Sequence, residues 1–215
     1  MDTSKAAPAG RRTAVIVGAS SGIGKEVALK LSGRGWRVYN LSRTPLSSER
    51  VKTMTADAAR EGELRRAILD IGTECGNLDL LVYSAGFSMA APIEYAAAGD
   101  YRYLFEVNYF GAVEAMKAAL PFLKKRGGRM ILIGSMGGEL PVPFDAFYSS
   151  SKAALAMLAR EADMELRSVG VRVSAIPLPS SRQGEGMPFS APRAGCFPSA
   201  SPTGWCARNS ASLKT

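Results

Sequence analysis

The sequence predicts an α/β domain built on a doubly wound parallel sheet, and three observations predict it. Short apolar runs alternate with longer segments of helical periodicity from Thr13 to Ile176. A glycine-rich turn, Gly18-Ala-Ser-Ser-Gly22-Ile-Gly24, follows the first apolar run directly. At 215 residues, 47% hydrophobic and 21% charged, the chain has an ordinary globular composition and length enough for one sizeable core. Alternating β and α units imply parallel strands joined by right-handed crossovers, which place helices on both faces in three layers.

In chain order, the apolar run Thr13-Ala-Val-Ile-Val17 supplies a first strand over 14–17, and an amphipathic helix over 23–33 follows the glycine turn. Further strands are predicted over 37–41, 51–56, 78–83, 128–133 and 171–176. Helices are predicted over 61–72, 100–125 and 146–169. Pro121 lies inside the third of these four helices, and a proline lacks the N–H and crowds the preceding turn, so a bend or early end is expected there.

The text changes after Ile176. Residues 177–215 hold half of the 12 prolines, many serines and glycines, and no sustained period of 2 or 3.6. They read as a low-complexity, poorly ordered tail, or alternatively as a substrate lid that orders with ligand. Residues 1–11 read as a flexible lead-in without the apolar stretch of a secretory signal. No apolar run approaches the roughly 20 residues needed to span a bilayer, so no membrane partner and a cytoplasmic location are expected.

Composition removes several chemistries. The chain has no histidine, which excludes Ser-His-Asp and Cys-His nucleophilic schemes and any histidine-ligated metal. Cys75, Cys196 and Cys206 have neither disulfide density nor zinc spacing, so no metal is expected. Proton transfer then falls to tyrosine, lysine or a carboxylate. The net charge of +8 is scattered apart from short clusters such as Lys124-Lys-Arg126. With no recognition motif it argues against nucleic acid, and a polyanionic cofactor accounts for part of it.

Gly18, Gly22 and Gly24 form G-x3-G-x-G, a variant of the Rossmann fingerprint. Glycines permit a tight turn and close backbone approach, and the following helix offers N–H groups to a pyrophosphate. A plain strand-to-helix turn is also glycine-rich, but the strand before and helix after favour cofactor binding by Gly18, Ser20, Ser21, Gly22, Ile23 and Gly24. The second strand ends Ser42-Arg43 with no acid to hold a ribose 2′-hydroxyl. Arg43, beside Ser42, can accommodate a 2′-phosphate, which favours NADP(H) over NAD. Lys25, just past the glycines, either adds charge there or is a solvated helix residue.

Tyr148 and Lys152 stand at i, i+4 and share a helix face. A free tyrosine titrates near 10, and an ammonium one turn away lowers that value. Ser135, after the fifth strand, supplies a hydroxyl able to polarise a carbonyl. A solvated Tyr–Lys face and a turn serine are the bland alternatives.

From about Arg12 to Ile176 the chain resembles a classical short-chain dehydrogenase/reductase. The matching motifs are Gly18-Ala-Ser-Ser-Gly-Ile-Gly24, Ser84-Ala-Gly86, Val107-Asn108, Ser135 and Tyr148-x-x-x-Lys152, in the family order. The resemblance implies a Rossmann-like sheet of order 3-2-1-4-5-6 and an NADP(H)-dependent interconversion of a secondary alcohol and a ketone. By position it implies Tyr148 as general acid/base, with Ser135 orienting the substrate oxygen. Lys152 would bind the nicotinamide ribose and depress the tyrosine pKa, and Asn108 would hold a helix irregularity and a water. Asp57 would contact the adenine, and Ser84, Ala85 and Gly86 would pack beside the cofactor. A homodimer or homotetramer pairing through the two long helices is implied as well.

Two departures stand out. Ser84 replaces the family's usual Asn, and Ala175-Ile-Pro177-Leu-Pro-Ser runs into the low-complexity tail, so the seventh strand has no visible counterpart. The alternative function is therefore a weak or inactive nucleotide-binding or interaction protein with an incomplete substrate pocket. Phe87, Met89, Gly137, Glu139, Val142 and Phe144 flank the catalytic positions and hint at a hydrophobic ketone.

Overall fold

Residues 11–179 are described by the computed structural model. The expectations for the lead-in, save Arg11, and for the tail beyond 179 lie outside these residues. Six strands form one sheet: β1 (Thr13–Val17), β2 (Arg37–Ser42), β3 (Val51–Thr55), β4 (Leu80–Tyr83), β5 (Arg129–Ile133) and β6 (Arg172–Ile176). Their order is β3-β2-β1-β4-β5-β6, with every neighbouring pair parallel. Every predicted strand is present, and β6 is the outer strand among the described residues.

The helices are α1 (Gly22–Gly33), α2 (Glu63–Cys75), α3 (Ala98–Phe105), α4 (Gly111–Leu123) and α5 (Ala146–Leu166). Glycines at positive φ explain one shifted boundary. Gly62 (φ 84) precedes α2 and Gly76 (φ 76) follows it, so this helix occupies 63–75 rather than 61–72. The single helix expected over 100–125 is instead two, with a π-helical turn from Glu106 to Phe110 between α3 and α4. Pro121 does not make that break: α4 runs on to Leu123.

β1 shows why the central strands read as continuous apolar runs. All five of its residues are buried, because helices cover both faces. Val15 and Val17 enter one core cluster with Tyr39, Leu41, Leu81, α2, α4 and α5. Ala14 and Ile16 enter the other with Val38, Val82 and Ala28 of α1. This alternation follows from successive side chains pointing to opposite faces of a strand.

On the α5 side, Asp163 locks helix to sheet. Its carboxylate accepts from Arg172 Nε (2.8 Å), Arg167 Nη2 (2.6 Å) and the Val173 backbone N–H (2.9 Å). Because all strands are parallel, their carboxyl ends share one edge. The glycine turn, Arg43, Ser84 and Ser135 leave the sheet there, which is where open α/β sheets bind ligands.

Candidate active site

Two glycines of the turn are fixed by backbone packing. Gly18 has φ +85, and a Cβ there would lie 2.6 Å from the Ala85 nitrogen. A Cβ on Gly24 would lie 2.3 Å from the Gly18 carbonyl oxygen. Gly22 differs: its φ is +56 but nothing lies within 4 Å of a Cβ built on it. The turn is thus compact on its protein side and open on the other.

Ser20 is half-buried, whereas Ser21, Gly22 and Ile23 are exposed at the start of α1. Ser21 occupies the N-cap without a side-chain capping bond. The leading N–H groups of a helix have no intrahelical acceptor and carry its positive dipole end, so they suit a phosphate.

Asn40 organises this cradle. It is fully buried in β2, its Oδ1 accepts from Ala19 N–H (3.0 Å), and its Nδ2 donates to Ser42 Oγ (2.9 Å) and Thr53 Oγ1 (3.3 Å). The sequence reading missed it, although a polar amide inside a strand of apolar residues is a signal, because Asn is depleted in strands.

The predicted cofactor residues on β2 and β3 separate into two groups. Ser42 is buried and donates to Thr44 O (2.6 Å), so its hydroxyl serves the turn after β2. Asp57, half-buried after β3, accepts from Ala59 N–H (3.0 Å) through Oδ1. Arg43 is exposed and donates through Nη1 to Tyr103 Oη of α3 at 3.2 Å. Lys25 is exposed on α1.

The π turn places Asn108. Tyr83 Oη donates to the Val107 carbonyl, and Gly111 makes room, since a Cβ there would crowd the Tyr83 hydroxyl. The wider turn leaves Asn108 wholly buried. Its Oδ1 accepts from Phe87 N–H (3.0 Å), and its Nδ2 donates to Phe87 O (3.0 Å) and Ser151 Oγ (3.1 Å). Ser151 in turn donates to Tyr148 O (2.7 Å). Asn108 therefore ties the segment after β4 to the helix carrying Tyr148.

Ser135, Tyr148 and Lys152 converge beside this tie. Ser135, 5% exposed, accepts from Gly137 N–H (3.1 Å), which leaves its own hydroxyl hydrogen for an outside acceptor. A Cβ on Gly137 would sit 3.5 Å from Ser135 Oγ and 3.8 Å from Tyr148 Cε1, so the two side chains flank one glycine. Lys152, also 5% exposed, donates to Ile133 O (2.9 Å), and its Nζ is 5.9 Å from the Tyr148 ring centroid. Burial lowers the Lys152 ammonium to a pKa of about 8. Gly86 keeps the approach open, because a Cβ there would lie 3.0 Å from Asn108 Oδ1 and 3.3 Å from Lys152 Nζ.

The apolar rim expected around the site is present in part. Phe87 and Phe144 are exposed, Met89 and Val142 half-buried. Ala91 N–H donates to Phe144 O (2.8 Å), joining the segments after β4 and β5. Phe144 holds a left-handed φ of 69, unusual for a bulky residue. Glu139 instead faces Arg160 of α5 at 3.7 Å. Among the described residues no cluster of carboxylates and cysteines suits a metal, and no helix is long and apolar enough to cross a membrane.

The residues present fit a dinucleotide: an open glycine cradle at a helix start, an exposed arginine after β2, and a buried lysine beside a glycine gap. Comparison with known proteins agrees with that fit. The family model described as short chain dehydrogenase matches residues 12–181. The 3-ketodihydrosphingosine reductase of Bacteroides thetaiotaomicron is 34% identical over 161 residues, covering 74% of this chain and 60% of the relative. The 11-beta-hydroxysteroid dehydrogenase type 2 of Oryctolagus cuniculus is 35% identical over 182 residues, covering 79% of this chain and 45% of the relative. The chain thus spans about half the length of these two proteins. Among solved structures, ElxO with NADP bound superposes with a TM-score of 0.74 at 26% identity, over 79% of this chain and 73% of that one.

Proposed function

The chain belongs to the short-chain dehydrogenase family, and on that premise we propose that it is an NADP(H)-dependent oxidoreductase interconverting a secondary alcohol and a ketone. One observation carries the reading. Ser135, Tyr148 and Lys152 converge at the carboxyl edge of the sheet, and Asn108 ties the helix carrying Tyr148 to the segment after β4, whose Ala85 packs against Gly18 of the cradle.

The cradle of Gly18, Ser20, Ser21, Gly22, Ile23 and Gly24 would hold the pyrophosphate on helix N–H groups. Arg43 would pair with the 2′-phosphate, with Ser42 shaping its turn and Asp57 lying toward the adenine. Ser84, Ala85 and Gly86 would line the cofactor's inner side, and Lys152 would reach the nicotinamide ribose through the gap at Gly86. When bound, the nicotinamide supplies or accepts the hydride.

The chain's own share is proton handling and orientation. In the reductive direction the Ser135 hydroxyl donates a hydrogen bond to the substrate carbonyl oxygen, and Tyr148 gives that oxygen its proton. The Lys152 ammonium opposes the negative charge left on the phenolate. Asn108 positions Tyr148 through Ser151 and the Phe87 segment through its amide. Phe87 and Phe144, exposed on the two segments flanking the site, favour a hydrophobic carbonyl substrate. The relatives' names, a hydroxysteroid dehydrogenase and a ketodihydrosphingosine reductase, are in keeping with that class. Exposed Phe110, Met157 and Met164 support pairing of copies through α4 and α5.

The test is oxidation of NADPH and NADH by the purified chain across ketone and aldehyde classes. Turnover with hydrophobic ketones and a preference for NADPH are expected. Absence of turnover with every carbonyl class, or a preference for NADH, would remove the reading.

A further inference from the structure

Arg43 and Phe87 leave the sheet from different strands, yet one side chain connects them. Tyr103 of α3 accepts from Arg43 Nη1 through its hydroxyl at 3.2 Å. Its ring lies against Phe87, with centroids 5.6 Å apart and planes tilted by 39°. In the order β3-β2-β1-β4, the strands feeding Arg43 and Phe87 stand on either side of β1. The Arg43–Tyr103–Phe87 line therefore arches over the edge where β1 opens into the glycine cradle.

The arch is anchored at one end and free at the other. Phe87 is clamped by Asn108 through both its backbone N–H and its carbonyl, each at 3.0 Å. Arg43 is exposed, and among the described residues Tyr103 Oη is its partner, with no carboxylate against it. The guanidinium uses one Nη1 hydrogen on the tyrosine, which leaves the Nε–Nη2 edge for a bidentate contact. The Tyr103 hydroxyl, having accepted from arginine, keeps its own hydrogen for a further acceptor.

Resting on the NADP(H) reading, we propose that Tyr103 is a specificity-determining residue for the cofactor, holding Arg43 over the cradle edge in position for a 2′-phosphate. An unrestrained surface arginine loses more side-chain entropy when it meets a phosphate than one already held. Tyr103 lowers that cost for NADPH and does nothing for NADH, which has no 2′-phosphate.

The experiment is fluorescence titration of NADPH and NADH into the whole chain and its Y103F, R43A and doubly substituted variants. Y103F keeps the ring on Phe87 and removes the hydroxyl. It should weaken NADPH about threefold to tenfold, as expected for loss of one hydrogen bond of this kind, and leave the NADH dissociation constant unchanged. In the R43A background the second substitution should have no further effect, because the pair acts as one unit. Equal weakening of both cofactors, or an unchanged NADPH constant in a wild type that prefers NADPH, overturns the role of Tyr103 alone. A wild type that binds both cofactors equally overturns the NADP(H) reading together with this inference.

Discussion

The Lys152 ammonium donates to the carbonyl oxygen of Ile133 at 2.9 Å, so the last residue of β5 and the buried tip of an α5 side chain form one unit. The bond holds a charged group where water scarcely reaches, and it fixes that group one helical turn from Tyr148.

That burial gives a stability signature. The folded-state pKa of Lys152 is lowered to about 8, below the ordinary lysine value. The unfolded chain therefore binds the extra proton between those values, and stability rises with pH across that window. The cost of burying the charge is present in full below about pH 8 and is relieved as pH rises toward the unfolded value. At Lys152 the fall from 10.5 to about 8 corresponds to on the order of 3 kcal/mol. Denaturant unfolding of wild type and Lys152→Met from pH 7 to 10 should show the wild type gaining stability relative to the variant as the pH rises. A constant difference would mean that the ammonium is not desolvated.

The same residue should couple cofactor binding to protonation. A polyanion and ribose hydroxyls beside Lys152 favour its charged form and raise its pKa on binding. Titration calorimetry near pH 8, in buffers of different ionisation enthalpy, should report proton uptake that vanishes in Lys152→Met. Uptake that persists in that variant would assign the proton elsewhere.

Tyr148→Phe keeps the ring beside Gly137 and removes only the transferable proton. Loss of a positioned general acid costs roughly a hundredfold to ten-thousandfold in rate. Turnover should fall by at least that lower figure while the NADPH dissociation constant stays within about twofold, since the ring's place and the cradle are untouched. A variant retaining most of its rate would remove Tyr148 from the acid/base role.

The sheet was legible in the sequence because buried parallel strands are continuous apolar runs, as in Thr13-Ala-Val-Ile-Val17. The positions of the glycine turn and Ser135 followed from the strand ends they succeed, and those of Tyr148 and Lys152 from their i, i+4 spacing on one helix. The π turn was not legible from the residues alone, since Glu106-Val-Asn-Tyr-Phe110 has ordinary helix composition and its extra residue goes with the tertiary bond from Tyr83 to Val107; the family resemblance alone, through Asn108, implied an irregularity there. Asn40 and Tyr103 escaped for a related reason: each bonds a partner from another element, Ala19 or Arg43, and even the oddity of an amide in an apolar strand does not name that partner.

The three glycines of the cradle should fail differently. Gly18→Ala combines left-handed strain, about 1–2 kcal/mol, with overpacking against Ala85 of about 1–3 kcal/mol, so a loss of roughly 2–5 kcal/mol is expected. Gly24→Ala carries no left-handed strain but meets the Gly18 carbonyl, so the overpacking cost of about 1–3 kcal/mol is expected. Gly22→Ala carries only the conformational cost, about 1 kcal/mol, but places a methyl on the open side. Thermal unfolding should rank the first two as the damaging substitutions, and cofactor titration should single out the third. Equal loss of stability in all three would contradict the open side at Gly22.

Asp163 sets the acid limit. Arg172 first, then Arg167 and the Val173 N–H, hold its carboxyl well below the usual carboxylate range. A lowered folded value means stability that is present above the unfolded pKa, near 4, and lost as pH falls further. Asp163→Asn should lower the melting temperature at pH 7 and flatten its decline below pH 4. An unchanged acid slope would place the titrating group elsewhere.

The π turn also fixes the register of everything after it. Each residue advances an α-helix by about 100°, so removing one residue from 106–110 would join α3 and α4 into a single regular helix. That joined helix would rotate by about 100° whatever follows the deletion, or else turn Asn108 away from Phe87. A one-residue deletion should therefore be far more harmful here than on the exposed surface of α4, although it makes the helix more ideal. The chain accepts an imperfect helix, and with it an intolerance of length change, in order to keep one amide between two segments of its site.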